Sequence, residues 1–201
     1  MAKLKNVCVY CGSAKGSNPA YAQAARALGS ALAREKIRLV YGGGGIGMMG
    51  EIARGVEDAG GKVLGIIPDF LVAREHAAQG RREIVRVRDM HERKRTMFER
   101  ADAFVALPGG IGTLEELVEQ LAWVQLGRHK KPVLLANVLG FWDPLLVLFK
   151  HLGAEGYLYN GPNFLVAERI EDVVPKLRAA LASVSEAELH GKAAKVVAEE
   201  M

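Results

Sequence analysis

Short apolar runs recur along this chain, and the stretches between them carry apolar residues at helical spacing. Val7-Cys8-Val9-Tyr10, residues 37–41, 63–67, Ala103-Phe104-Val105-Ala106-Leu107 and Val133-Leu134-Leu135-Ala136 have no alternating wet face. They read as strands buried on both sides, the situation of a parallel sheet whose crossovers are helices. Helices are expected over residues 18–34, 48–59, 90–100, 113–126, 141–151 and 170–183, with residues 84–87 as a strand with one wet face and 164–166 as a short last strand. Residues 69–82 are irregular and polar, and read as a loop or short helix over the sheet's edge. The pattern predicts an α/β fold: an open, mostly parallel sheet with helices on both faces and ligands at the carboxyl ends of its strands.

With 201 residues and 50% hydrophobic content, the chain can bury one sizeable core. Residues 1–184 are expected as a single domain and 185–201, rich in Ala, Lys and Glu, as a charged C-terminal tail, either a solvated helix or disordered. No apolar run has the length of a membrane span and the first residues lack a signal-peptide core, so a cytoplasmic protein is expected, with no membrane partner. Cys8 and Cys11 form a lone C-x-x-C with no second pair and no neighbouring histidine, which favours two reduced thiols over a metal or redox site. A net charge of +4 allows anionic partners, but 6% aromatic content and no interleaved basic and aromatic ladder argue against nucleic acid. A small phosphorylated substrate fits the same balance.

Three turns should meet at the strand ends: Cys11-Gly12-Ser13, the run Gly42-Gly43-Gly44-Gly45-Ile46-Gly47, and Pro108-Gly109-Gly110-Ile111-Gly112-Thr113-Leu114-Glu115-Glu116. The last joins a phosphate-binding turn to two carboxylates. Glycines let the backbone approach an anion, and a helix N-terminus supplies free N–H groups and a positive dipole end. Thr113 is expected to cap that helix and to offer its hydroxyl to the ligand. Two acids so near a phosphate are tolerable only if at least one points past it, which suggests chemistry beside the phosphate. The glycine run invites a dinucleotide reading, but it follows the second strand, not the first, so one mononucleotide embraced by two glycine turns is preferred. Met90, Arg93 and Met97 share one helical stripe, so Arg93 faces inward and should meet a carboxylate or phosphate, while Lys94 and Arg95 read as solvated charges. Met48, Met49, Trp123 and Trp142 read as packing residues.

Met90-His91-Glu92-Arg93-Lys94 followed by the Pro108 to Glu116 string, with the turn at Gly42, resembles the "lonely guy" (LOG) family of cytokinin-activating phosphoribohydrolases, long misnamed lysine decarboxylases. The similarity runs from about Val7 to Leu181. It implies a Rossmann-like fold, a homodimer, and hydrolysis of the N-glycosidic bond of a nucleoside 5′-monophosphate, cytokinin nucleotides or AMP, to free base and ribose 5-phosphate; the sequence shows no metal-ligand cluster, and neither metal nor cofactor is expected. The family's proposed catalytic pair falls on Arg93 and Glu116. Gly109, Gly110, Ile111, Gly112, Thr113, Leu114 and Glu115 would bind substrate, as would Glu75 and Lys94, with Gly12, Ser13, Gly43 and Gly44 added from the converging turns. Ala122 stands where plant members commonly carry threonine.

The chemistry agrees. Glycosidic cleavage passes through an oxocarbenium-like sugar that a carboxylate such as Glu116 stabilises while it activates water. The role of Arg93 stays open between orienting Glu116, touching phosphate and touching the leaving base, and Glu115 remains a rival for Glu116. The other readings are a nucleotide-binding or carrier module without catalysis and a pyridoxal-phosphate enzyme built on Lys94, the latter disfavoured by the absence of a second domain.

Overall fold

The computed structural model describes residues 2–73, 82–158 and 163–189. Seven strands form one sheet: β1 (Asn6–Tyr10), β2 (Arg38–Tyr41), β3 (Val63–Pro68), β4 (Glu83–Val87), β5 (Ala103–Ala106), β6 (Val133–Ala136) and β7 (Leu165–Ala167). Their order is β4-β3-β2-β1-β5-β6-β7, and every pairing is parallel. Chain order reverses at β1, where Val9 pairs with Tyr41 on one side and Val105 on the other. In open sheets of this kind that reversal opens a crevice beyond the strand ends.

Five crossovers carry an α-helix, α1 (Pro19–Arg34), α2 (Gly47–Asp58), α3 (Met90–Arg100), α4 (Ile111–Gln125) and α5 (Asp143–Ala154), and α6 (Val173–Leu181) follows β7; between β3 and β4 the described residues hold a 3-10 turn instead. The period-2 alternation of side chains divides β1 between two cores. Val7, Val9 and Cys11 pack with Leu28, Ile52 and Leu177 of α1, α2 and α6. Cys8 and Tyr10 pack on the other face with Met97 and Leu117, joined by Leu145 of α5. Cys8 and Cys11 therefore lie on opposite faces and are not bridged to each other. Burial first, then the charge of Glu116, pushes the Cys8 thiol up, so it stays protonated.

Several boundaries differ from the sequence expectation. Residues 138–140 form a 3-10 turn before α5, because the buried Asn137 side chain takes the Trp142 amide (2.8 Å) and donates to Asp143 (2.8 Å) and Glu168. The edge over residues 69–82 begins as a 3-10 turn, Asp69–Leu71, and residues 74–81 fall outside the described ones. The packed structure also runs past residue 184. A short helix, α7 (Glu186–Leu189), buries Leu189 against Ala2, Leu181 and Val184, and Lys130 holds Glu188 at 2.6 Å. No helix among the described residues is long and apolar enough to cross a membrane.

Candidate functional site

A cleft of about 240 Å³ opens at the reversal point, beyond the carboxyl ends of β1, β2 and β5. Its polar wall is Arg93 and the first turns of α4 (Gly110 to Thr113, with Glu115 and Glu116), and its apolar wall includes Tyr10, Met49, Met90 and Met97. A second hollow of about 340 Å³ lies across the Gly109-Gly110 turn and shares Gly12, Ser13 and Gly110 with the first. A larger cavity, about 540 Å³, sits at the opposite, amino end of β6, lined by Val124, Lys131, Val133 and Ala180, away from all of these groups.

The α4 terminus differs from the expected cap. Gly110 is the N-cap and offers no side chain, so the helix begins at Ile111 and Thr113 is its buried third residue. The first N–H bonded within the helix is that of Leu114, to Gly110 O at 3.0 Å. The amides of Ile111, Gly112 and Thr113 donate to no atom among the described residues. They and the positive dipole end face the cleft, an arrangement suited to an anion. Gly109 is required by closeness: a Cβ there would lie 2.1 Å from Thr113 Oγ1 and 2.8 Å from Gly12 N. The Gly12 amide in turn donates to Pro108 O at 3.2 Å, which joins the β1 and β5 loops.

α2 presents no such terminus. Its first amides are taken by the β1 loop: Met48 N donates to Gly12 O (3.1 Å) and Ala14 O (3.3 Å), and Met49 N to Gly12 O (3.3 Å). Of the glycine run only Gly42 reaches the cleft. Gly43, at φ +80°, packs on Ile67, and Gly44 is buried, so neither lines the site as expected. Gly42 makes room for Arg93, whose guanidinium a Cβ would meet at 2.0 Å.

Arg93 is 5% exposed, as the Met90, Arg93 and Met97 stripe predicts. Its Nη2 donates to Gly42 O (2.8 Å), its Nε to Ile66 O (3.2 Å), and its Nη1 approaches Met90 Sδ (3.7 Å). Two carbonyls, one just past β2 and one within β3, thus fix the plane of the guanidinium at the cleft wall. Asp89 caps α3 by accepting from Glu92 N at 2.8 Å, which sets the helical phase.

On α4, Thr113, Glu116, Leu117 and Gln120 follow the spacing of one inward stripe, and all but Glu116 are fully buried. Glu116 is half-buried at the cleft floor beside Tyr10, whose pKa is raised by burial first and by the charges of Cys8 and Glu116 after it. Glu115, about 100° around the helix, lies at the rim with its side chain 52% exposed. Lys94 does not line the cleft and is not a solvated charge: its ammonium holds Glu115 (2.5 Å) and Glu119 (2.9 Å). Leu114 also stands outside the lining, Gly109 borders the second hollow, and Gly12 and Ser13 line both. Glu75 lies outside the described residues. The sequence reading missed Tyr10, the last residue of β1, and took Met49, in the first turn of α2, for packing alone. Among the described residues no cluster of His, Cys, Asp and Glu could hold a metal ion.

A parallel sheet reversing at β1, with an anion-ready helix N-terminus, a carboxylate and a buried arginine at that point, defines a Rossmann-like α/β protein. Solved structures share this architecture: a molybdenum cofactor carrier protein from Chlamydomonas reinhardtii (TM-score 0.69, 22% identity, 90% of this chain and 100% of that one), and a molybdenum cofactor binding protein from Rippkaea orientalis (TM-score 0.68, 21% identity, 90% and 99%). At such identity they speak to the fold alone. Residues 49–177 match the family model described as "Possible lysine decarboxylase". A rice protein named probable cytokinin riboside 5′-monophosphate phosphoribohydrolase LOGL9 is 49% identical, over 78% of this chain and 69% of its own. Rice cytokinin riboside 5′-monophosphate phosphoribohydrolase LOG is 44% identical over 89% and 78%, and Arabidopsis thaliana LOG5 45% over 88% and 78%. The chain belongs to this family, the LOG-type proteins that the family model labels lysine decarboxylases.

Proposed function

We propose that this chain is a phosphoribohydrolase that cleaves the N-glycosidic bond of nucleoside 5′-monophosphates, cytokinin nucleotides among them and AMP as a further candidate, releasing free base and ribose 5-phosphate. The names of the relatives support the reaction class. The observation that carries it is the open amide row of Ile111, Gly112 and Thr113 one turn ahead of Glu116, with Arg93 in the same cleft.

The 5′-phosphate would accept from those amides and from the Thr113 hydroxyl. Anchored there, it holds the ribose at a fixed distance from Glu116 and contributes binding energy remote from the bond that breaks. As the C1′–N bond lengthens, its electron pair leaves with the base and positive charge grows on the sugar. Glu116 would stabilise that charge and take a proton from the water attacking C1′, and the base gains a proton as it departs. Arg93, held by two carbonyls, brings a fixed positive charge to the wall that the phosphate and the carboxylate share. Gly12 and Ser13, which line both hollows, would border the sugar and phosphate. The methionine wall gives the base an adaptable apolar surface. The two buried cysteines, not bridged to each other, fit a cytoplasmic enzyme, and we read the working form as a homodimer.

A panel of nucleoside 5′-monophosphates and matching nucleosides, followed by chromatography of the released base, tests this. Monophosphates should be cleaved at least about a hundredfold faster than nucleosides at equal concentration. Equal turnover of the two would remove the phosphate anchor from the mechanism.

A further inference from the structure

Lys94 follows Arg93 on α3 but points elsewhere. Its ammonium lies 2.5 Å from Glu115 Oε1 and 2.9 Å from Glu119 Oε1, two carboxylates one turn apart on α4, and its side chain is only 14% exposed. The other oxygen of Glu119, Oε2, is buried and accepts no hydrogen bond among the described residues, which leaves Lys94 as the compensation for that charge. Burial works against the ammonium, yet the two carboxylates outweigh it and raise the Lys94 pKa.

This matters because of where α4 begins. Glu115, Glu116 and Glu119 all stand within nine residues of the Ile111 amide. A phosphate dianion on that helix end would face three like charges in a partly buried site, where water screens them incompletely. The amide row and dipole are then too weak an attraction to stand alone.

We propose that Lys94 is a positioning residue of this site: it acts through Glu115 and Glu119, fixing the α3 to α4 spacing and cancelling one of their charges, so that the α4 terminus accepts a phosphate while Glu116 remains the carboxylate at the cleft floor. This rests on the phosphate-anchored reading above. Lys94 touches α4 and not the substrate, so its effect depends on the acids it pairs with. That dependence is measurable as a double-mutant cycle.

The cycle compares wild type, Lys94→Met, the pair Glu115→Gln with Glu119→Gln, and the triple variant. Each is read by kcat and KM for a nucleoside 5′-monophosphate and by calorimetric Kd for ribose 5-phosphate. In the wild-type background Lys94→Met should weaken Kd and raise KM by about tenfold, with a smaller change in kcat. In the background lacking both acids it should change Kd by less than about twofold. Lys94→Arg, which keeps the charge, should recover most of the loss. An equal loss in both backgrounds would mean that Lys94 contacts the substrate directly and would overturn the proposal. If Lys94→Met fails to fold, the comparison of the double with the triple variant decides alone: equal Kd supports the proposal and a tenfold weaker triple overturns it. Absence of base release from any monophosphate by wild type would strike the hydrolase reading instead, and the ribose 5-phosphate arm would still judge Lys94.

Discussion

Neighbouring carboxylates on α4 have different surroundings, and that difference makes their proposed roles separable by experiment. Glu116 follows the inward spacing of Thr113, Leu117 and Gln120 and reaches the cleft floor, while Glu115 is bound at the rim by Lys94. Glu116→Gln keeps volume and reach but removes the charge that, in the proposed reaction, would meet the oxocarbenium. We expect kcat to fall at least about a hundredfold with KM little changed, and Glu115→Gln to act mainly on KM. A nearly active Glu116→Gln beside an inactive Glu115→Gln would exchange the two assignments. His129 offers a test away from the cleft. Burial, then the charge of Lys131, lowers its pKa from 6.5 to about 4, and the ring stays neutral between Phe98 and Phe104. As pH falls from 6.5 towards 4, the unfolded chain binds a proton that the folded one refuses, so stability drops across that window and is flat above it. Thermal unfolding at pH 7 and 4.5 should show wild type losing roughly 2 kcal/mol more than His129→Gln, and parallel losses would refute the neutral buried ring. At this scale the inward turn of Arg93 was legible from two flanking methionines. The carbonyls of Ile66 and Gly42 that receive it were not, because they come from separate segments, β3 and the turn after β2, brought close only by the sheet.

Glycine governs both cleft-side turns, but for different reasons. After β2, Gly42 clears space for a side chain and the α2 terminus is closed by the Gly12 carbonyl. After β5, Gly109 clears space for Thr113 and the α4 terminus stays open. The sequence assigned the phosphate to the second glycine run but gave no sign that the α2 terminus is closed, since what closes it is a loop from another part of the chain. It also placed the start of α4 at Thr113, because glycine is a poor helix former and gives no side-chain cap, whereas Gly110 serves as N-cap through its backbone alone. Gly109→Ala tests the open terminus as an element. Its methyl would press on Thr113 Oγ1 and the Gly12 amide, so the turn must open. Calorimetry should show ribose 5-phosphate binding weakened by about tenfold or more, with unfolding only a few degrees lower. Unchanged affinity would place the anion elsewhere.

The whole sheet follows from a period that sequence displays well. Strands buried on both faces must be covered twice, which fixes the layers and the parallel sense. The position of β1 at the centre, and so the point of reversal, depends on pairing between distant segments and had no local signal. What the sheet leaves uncovered is also informative. α5 buries none of its residues fully, and Val147 and Leu148 are 67% and 48% exposed. Val118 on α4 and Leu126, its C-cap, are 45% and 74% exposed, beyond the stripe that the sheet takes. Isolated exposed apolar residues need no explanation, but two helices on the same face of the sheet each showing a row of them point to an association surface. A twofold pairing would let one patch cover its own copy, the common solution for soluble chains. The prediction is a dimer at micromolar concentration by sedimentation equilibrium, with Val147→Asp and Leu148→Asp each shifting it towards monomer while the far-ultraviolet spectrum stays unchanged. Since α4 carries both this face and Glu116, monomerisation should also lower base release. A wild-type protein that sediments as an active monomer would show that the exposed rows serve another contact.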